Sequence, residues 1–116
     1  MKPAAFNYHQ PKSVDEALAI YAACEDARFL AGGQSLVPMM SLRLATPTDL
    51  IDLNKVEQLS GISSSDDYIR IGAMTRQEEL GVNGPLCTQV PVMRAIIDSV
   101  GHPGTRTRGT IGGSLC

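Results

Sequence analysis

Two segments combine residue types and spacing that suit ligand chemistry: Ala31-Gly32-Gly33-Gln34-Ser35-Leu36 and Thr110-Ile111-Gly112-Gly113-Ser114. Paired glycines let the backbone enter positive φ and bring consecutive amides to a ligand with no Cβ in the way. Successive N–H groups turned to one side make a concave nest for anionic oxygens. Ser35, Thr110 and Ser114 add hydroxyl donors. A diphosphate, with two negative charges and several acceptors, is the natural guest for two such nests. One Gly-Gly pair alone reads more simply as a structural turn. Two pairs, each followed by a small hydroxyl-bearing or amide residue, shift the balance toward a ligand. The G-x-G-x-x-G and G-x-x-x-x-G-K-[ST] loops are both absent, so a nucleotide here would be held in some other way.

Other residues are weaker candidates. His102 precedes the second segment and could reach a cofactor or a partner subunit, but a solvent-exposed loop histidine is the simpler reading. Arg106 and Arg108 could screen phosphates, or act as surface charges paired with Asp66, Asp67 or Asp98. Met39-Met40 suits core packing, and Glu78-Glu79 suits a solvated helix face. Cys24, Cys87 and Cys116 are odd in number and far apart, which excludes a disulfide framework. They also give no zinc or iron–sulfur ligand spacing, so no metal is expected. Cys24 and Cys87 read as buried structural thiols.

These segments need elements to position them. Phe6 and Tyr8 alternate with polar residues in a short strand ended by Pro11. Ser13-Val14-Asp15-Glu16 has the form of a capping box, predicting a helix from Ser13 to Cys24 with Val14, Ala17, Leu18, Tyr21 and Ala22 inward. Arg28 to Ala31 reads as a short buried strand running into the first glycine pair, and a short helix over 36–44 follows. Thr48 to Leu53 is a third strand, with Leu50, Ile51 and Leu53 as core candidates. Leu59–Ile62 and Tyr68–Gly72 read as an antiparallel pair around a polar turn. Thr75 is a plausible N-cap for the helix carrying Glu78, Glu79 and Leu80. Gly81 to Pro85 reads as a breaker. Val92, Met93, Ile96, Ile97 and Val100 mark an amphipathic helix over 90–100, ended by Gly101. Residues 101–114 read as a loop. Each glycine pair then lies at a strand–helix or helix–strand junction, where a helix N-terminus could add its dipole. The mixture lacks strict βαβ alternation and predicts an α+β class.

At 116 residues, with 43% hydrophobic and 19% charged residues, the chain is an ordinary globular mixture of one domain or two small lobes. A net charge of −2 argues against a nucleic-acid partner. No apolar run approaches the ~20 residues that span a bilayer, and the N-terminus lacks a signal-peptide core. A cytoplasmic protein with no membrane association is expected.

The segments Ala31-Gly32-Gly33-Gln34-Ser35-Leu36-Val37-Pro38 and Arg108-Gly109-Thr110-Ile111-Gly112-Gly113-Ser114 resemble the two signatures of one family. It is the FAD-binding medium subunit of the molybdenum hydroxylases, of the carbon monoxide dehydrogenase and xanthine dehydrogenase type. The opening Phe6-Asn7-Tyr8, the strand Asp49 to Leu53, Ile71 to Thr75, and Gly101-His102 leading to Arg106-x-Arg108-Gly109 are similar to it too, so the resemblance covers the whole chain. It implies two α+β lobes, over 1–55 and 56–116, holding FAD in the crevice between them. The cofactor-binding residues it implies are Ala31, Gly32, Gly33, Gln34, Ser35 and Leu36 from one lobe. The other would supply Val100, Gly101, Thr110, Gly112, Gly113 and Ser114. It further implies a molybdenum-cofactor subunit that oxidises substrate and an iron–sulfur subunit that carries electrons to the flavin. The flavin then passes them to an acceptor. The flavin does the redox work, so no general acid or base is assigned.

The chain stops two residues after Ser114, inside a glycine-rich segment. The second lobe is therefore expected to be truncated, to bind FAD weakly or not at all, and to be inactive alone. Exposed edges would favour self-association. A cofactor-free lobe acting only in self-association or assembly is the alternative. A flavoenzyme with covalent flavin is a lesser one, since no His or Cys stands beside Gly33.

Overall fold

Ser13 starts the first helix as its residue type requires. In this computed structural model, which describes residues 1–116, the Ser13 hydroxyl accepts from the Glu16 amide at 3.1 Å. The Glu16 carboxylate reaches back one residue further than a strict capping box, accepting from the Lys12 amide at 2.8 Å. The helix α1 spans Val14–Ala23. Its inward face is only partly the expected one. Ala17 is buried, with Ile20 and Cys24 packed beside it, whereas Leu18 and Tyr21 are about half exposed. Both stripes have helical spacing, and only the sheet decides which one is covered. Tyr21 instead stacks on Phe29 with ring centroids 4.8 Å apart.

The chain divides after Gln58 into two compact units, Met1–Gln58 and Leu59–Cys116. In the first, strands β1 (Asn7–His9), β2 (Ala27–Leu30) and β3 (Asp49–Asp52) alternate with α1 and with α2 (Leu36–Ser41). The sheet order is β1-β3-β2, and both pairings are parallel. All four residues of β3 are buried because the strand is central. Its apolar centre, Leu50-Ile51, packs in the core, with Ala17, Ala27 and Ile51 clustered beneath α1. Its polar ends are held by hydrogen bonds. Alternation is thus strict within this unit, which separates it from the second.

The second unit has an antiparallel pair, β4 (Ile62–Ser64) and β5 (Ile69–Ile71), with Ile62 opposite Ile71. The first strand begins three residues later than its predicted start, since Leu59 closes a short 3-10 turn, Glu57–Leu59. Five short helices follow: α3 (Gln77–Val82), α4 (Gly84–Gln89), α5 (Val92–Asp98), α6 (Pro103–Arg106) and α7 (Ile111–Leu115). The core is Leu80, Leu86 and Ile97, with Ile62, Ile69, Ile71, Val90, Met93 and Ile111 packed on it. In α5 only Met93 and Ile97 turn inward, while Val92 and Ile96 are exposed.

Three local expectations are corrected here, and the break expected over Gly81 to Pro85 is located. Thr75 is not the N-cap of α3. It is buried, and its hydroxyl is locked to Gly61, accepting from the amide at 2.9 Å. Gly81 to Pro85 breaks the helix only at Asn83, whose side chain caps α4 by accepting from the Leu86 amide at 2.9 Å. Residues 101–114 contain two helices rather than one open loop. Cys24 and Cys87 are half-buried rather than buried, and Cys116 is exposed. With one parallel and one antiparallel unit, the chain as a whole is α+β. No helix is long and apolar enough to cross a membrane.

Candidate functional site

The first glycine segment is the turn between β2 and α2. Gly33 lies at φ +72, and a Cβ added there would meet Val37 Cγ2 at 3.0 Å. An L residue would be strained by the backbone and crowded as well. The Gly33 carbonyl accepts from the Val37 amide at 3.1 Å, and Gln34 Nε2 donates to the Gly32 carbonyl at 3.3 Å. The carbonyls are thus spent on shaping the turn. The amides are not: within their own unit, those of Gly32, Gly33, Gln34, Ser35 and Leu36 donate no hydrogen bond. Ser35 precedes α2, and its hydroxyl makes no capping bond. Five consecutive donors without acceptors, in an accessible turn with a left-handed glycine, are what an anionic oxygen cluster needs.

The turn is pinned by residues that the sequence does not single out. Asn54 Nδ2 donates to the Ala31 carbonyl at 3.1 Å, and the Asn54 amide donates to Asp52 Oδ1 at 2.9 Å. Tyr8 donates its hydroxyl to Asp52 Oδ2. Tyr8, Asp52, Asn54 and Ala31 therefore form a hydrogen-bonded chain from β1 through the end of β3 to the glycine turn. Burial alone pushes the Asp52 carboxyl up, but hydrogen bonds from Tyr8, Asn54 and Gln10 outweigh it and hold the carboxyl below its ordinary value. The signal in the sequence was Asp52-x-Asn54 at the end of a buried strand, a pairing able to form a side-chain turn.

The second glycine segment is built differently. Gly112 and Gly113 do not form a left-handed turn but lie in α7. Their amides are spent inside the unit: Gly112 donates to the Ala73 carbonyl at 2.8 Å, and Gly113 to Thr110 Oγ1 at 3.1 Å. The Ser114 amide donates to the Thr110 carbonyl at 3.1 Å. Gly112 is required by close packing, since a Cβ there would stand 2.8 Å from the Ala73 carbonyl oxygen. Thr110 is buried, so it acts as the cap of α7. Ser114 Oγ, on an exposed residue, accepts from Gln77 Nε2 at 2.6 Å. Helices of six and five residues supply little macrodipole, so individual amides and hydroxyls must do any binding.

Val100 and Gly101 form a separate turn. Gly101 has φ +51, and Arg106 donates to the Val100 and Gly101 carbonyls at 3.2 and 3.5 Å. Arg106 is therefore spent on bracing this turn rather than paired with a carboxylate. His102 is exposed at the start of α6, and Arg108 is exposed. Met40 is buried and Met39 exposed, so only one of the pair serves the core. The residues 31–36 thus converge on one turn in the first unit. Val100-Gly101 and 110–114 occupy two distinct places in the second.

A turn of unspent amides inside a parallel βαβαβ unit, followed by an α+β unit with its own glycine-bearing helix, suits an anionic cofactor held without the dinucleotide fingerprint. The chain belongs to the family described as the FAD binding domain in molybdopterin dehydrogenase, which matches residues 4–116, and FAD is the cofactor of that domain. It is 43% identical over 117 residues to the carbon monoxide dehydrogenase medium chain of Hydrogenophaga pseudoflava, covering 99% of this chain and 40% of that protein. It is 42% identical over 116 residues to subunit alpha of the 6-hydroxypseudooxynicotine dehydrogenase complex of Paenarthrobacter nicotinovorans, covering 99% and 39%. Among solved structures, the Hydrogenophaga pseudoflava carbon monoxide dehydrogenase lacking the Mo-pyranopterin moiety matches with a TM-score of 0.96. The identity is 42%, with 99% of this chain and 40% of that one covered. The chain thus spans about two fifths of the length of these curated relatives, which are subunits of oxidoreductase complexes.

Proposed function

We propose that this chain supplies the diphosphate-binding part of an FAD-dependent electron-transfer subunit. The observation that carries the reading is the run of five amides, Gly32 to Leu36, that make no hydrogen bond within their unit. These amides bind and orient the diphosphate, with Ser35 adding a hydroxyl. In the second unit Thr110, Gly112 and Gly113 shape the start of α7, where Ser114 offers its hydroxyl. Val100 and Gly101 supply a turn for the rest of the cofactor. When bound, the flavin supplies the redox chemistry, and the chain supplies position and electrostatics.

The partners under this reading are a molybdenum-cofactor subunit that oxidises substrate and an iron–sulfur subunit that delivers electrons. The flavin passes them to an acceptor. The names of the relatives, which are a medium chain of one dehydrogenase and a subunit of another dehydrogenase complex, support an assembly of this kind.

A second reading is a cofactor-free lobe that serves in self-association or assembly. One observation favours it: the amides of Gly112, Gly113 and Ser114 already have acceptors within their own unit, which leaves one nest rather than two. Titration of the chain with FAD, followed by flavin fluorescence, separates the two. Saturable one-to-one quenching that is weakened about tenfold or more in Gly33→Ala, with circular dichroism unchanged, supports the flavin role. No saturation in the parent chain supports the assembly role.

A further inference from the structure

Spacing along the sequence contains no metal motif, yet folding of the first unit gathers three ligating side chains. His9 ends β1, Cys24 is the C-cap of α1, and Asp49 opens β3. Their ligand atoms all lie within 4.8 Å of one another. His9 Nε2 stands 2.8 Å from Asp49 Oδ1, and the two side chains are 31% and 12% exposed. We propose that His9, Cys24 and Asp49 form a site for a divalent transition metal of the zinc or cobalt(II) kind, with water completing four-coordination.

The donor set selects the metal class. A thiolate and an imidazole suit borderline-soft zinc or cobalt, whereas calcium and magnesium take oxygen ligands. Charge closes as well. One thiolate and one carboxylate neutralise a dication, and the imidazole binds uncharged. Binding releases the Cys24 thiol proton to solvent, and His9 binds through Nε2 with its remaining proton on Nδ1.

The geometry needs only side-chain motion. Tetrahedral bonds of about 2.0–2.1 Å to N and O and about 2.3 Å to S place N and O roughly 3.3 Å apart, and S about 3.6 Å from each. The imidazole must therefore open by about 0.5 Å and the thiol move inward by no more than about 1.2 Å. Asp49 is already oriented by donors outside the triad: Asn7 Nδ2 at 3.1 Å on Oδ1 and Thr48 Oγ1 at 2.8 Å on Oδ2. Such outer hydrogen bonds fix a ligating carboxylate. The partly exposed imidazole edge provides entry and a place for water. Asp49 pairs with Ala27 at the start of the β2–β3 ladder, while the glycine turn follows its other end. The site therefore does not depend on flavin.

The test uses the whole metal-free chain under reducing conditions, titrated with cobalt(II) and then zinc. One equivalent of cobalt is expected to give a thiolate-to-cobalt charge-transfer band and strong visible d–d bands, both displaced by zinc. They should persist when Cys87→Ser and Cys116→Ser are combined. Cys24→Ser should abolish the charge-transfer band, and His9→Gln should weaken zinc by more than about tenfold, with circular dichroism unchanged. No band in the parent chain, or a band that survives Cys24→Ser, would overturn the site. It would leave a cluster that only hydrogen-bonds. The parent titration decides even if a variant fails to fold.

Discussion

Gly33 carries two constraints at once: a left-handed backbone and a neighbour, Val37 Cγ2, already at the limit of contact. Gly33→Ala is expected to lower the stability of the first unit by about 1–2 kcal/mol. It should weaken FAD by about tenfold or more, equivalent to about 1.4 kcal/mol or more. Chemical denaturation and fluorescence titration read the two effects separately. Asn54 acts on the same turn from outside it. Asn54→Ala removes the donor to the Ala31 carbonyl and should cost about 1 kcal/mol of stability. FAD affinity should fall while every binding amide is retained. Unchanged affinity in Asn54→Ala would show that the turn holds its shape without that tie. The glycine pair was legible as a turn from residue type alone. Asn54 was not, because its role depends on β3 ending beside the turn.

Among the elements, the caps show how much local sequence decides. Ser13→Ala should lower the first unit's stability by about 1 kcal/mol, read by urea denaturation, because the Glu16 amide loses its acceptor. Thr110→Val keeps the shape and removes the acceptor of the Gly113 amide. It should destabilise the second unit by about 1–2 kcal/mol. A Thr110 variant of unchanged stability would mean that α7 does not need its cap. The helix at Ser13 was readable because its cap and periodicity coincide. The helix α7 was not. Glycines argue against helix locally, and here the contact of Gly112 with Ala73 overrides that preference.

For the whole molecule, acid stability reports on the network behind the glycine turn. The folded Asp52 carboxyl lies below its unfolded value of about 3.9. Its contribution is therefore present above about pH 4 and lost as pH falls through the folded value. Tyr8→Phe removes one of the hydrogen bonds that lower it. The stability gap between parent and Tyr8→Phe should be widest near neutral pH and narrow below about pH 4. Urea denaturation at pH 7 and pH 3 measures it, and a gap independent of pH would contradict the network.

By itself the amino-acid sequence determined the α+β class, three strands and two helices of the first unit, the antiparallel pair of the second, and the two glycine segments. These are local matters of period, cap and turn chemistry. The tertiary structure alone decided which face of α1 is covered. It also decided that one glycine segment keeps its amides unspent while the other spends them, and that His9, Cys24 and Asp49 meet. Each depends on groups far apart in the chain, such as Gly112 with Ala73 or His9 with Asp49. No periodicity or spacing records whether a distant acceptor has already taken a given amide.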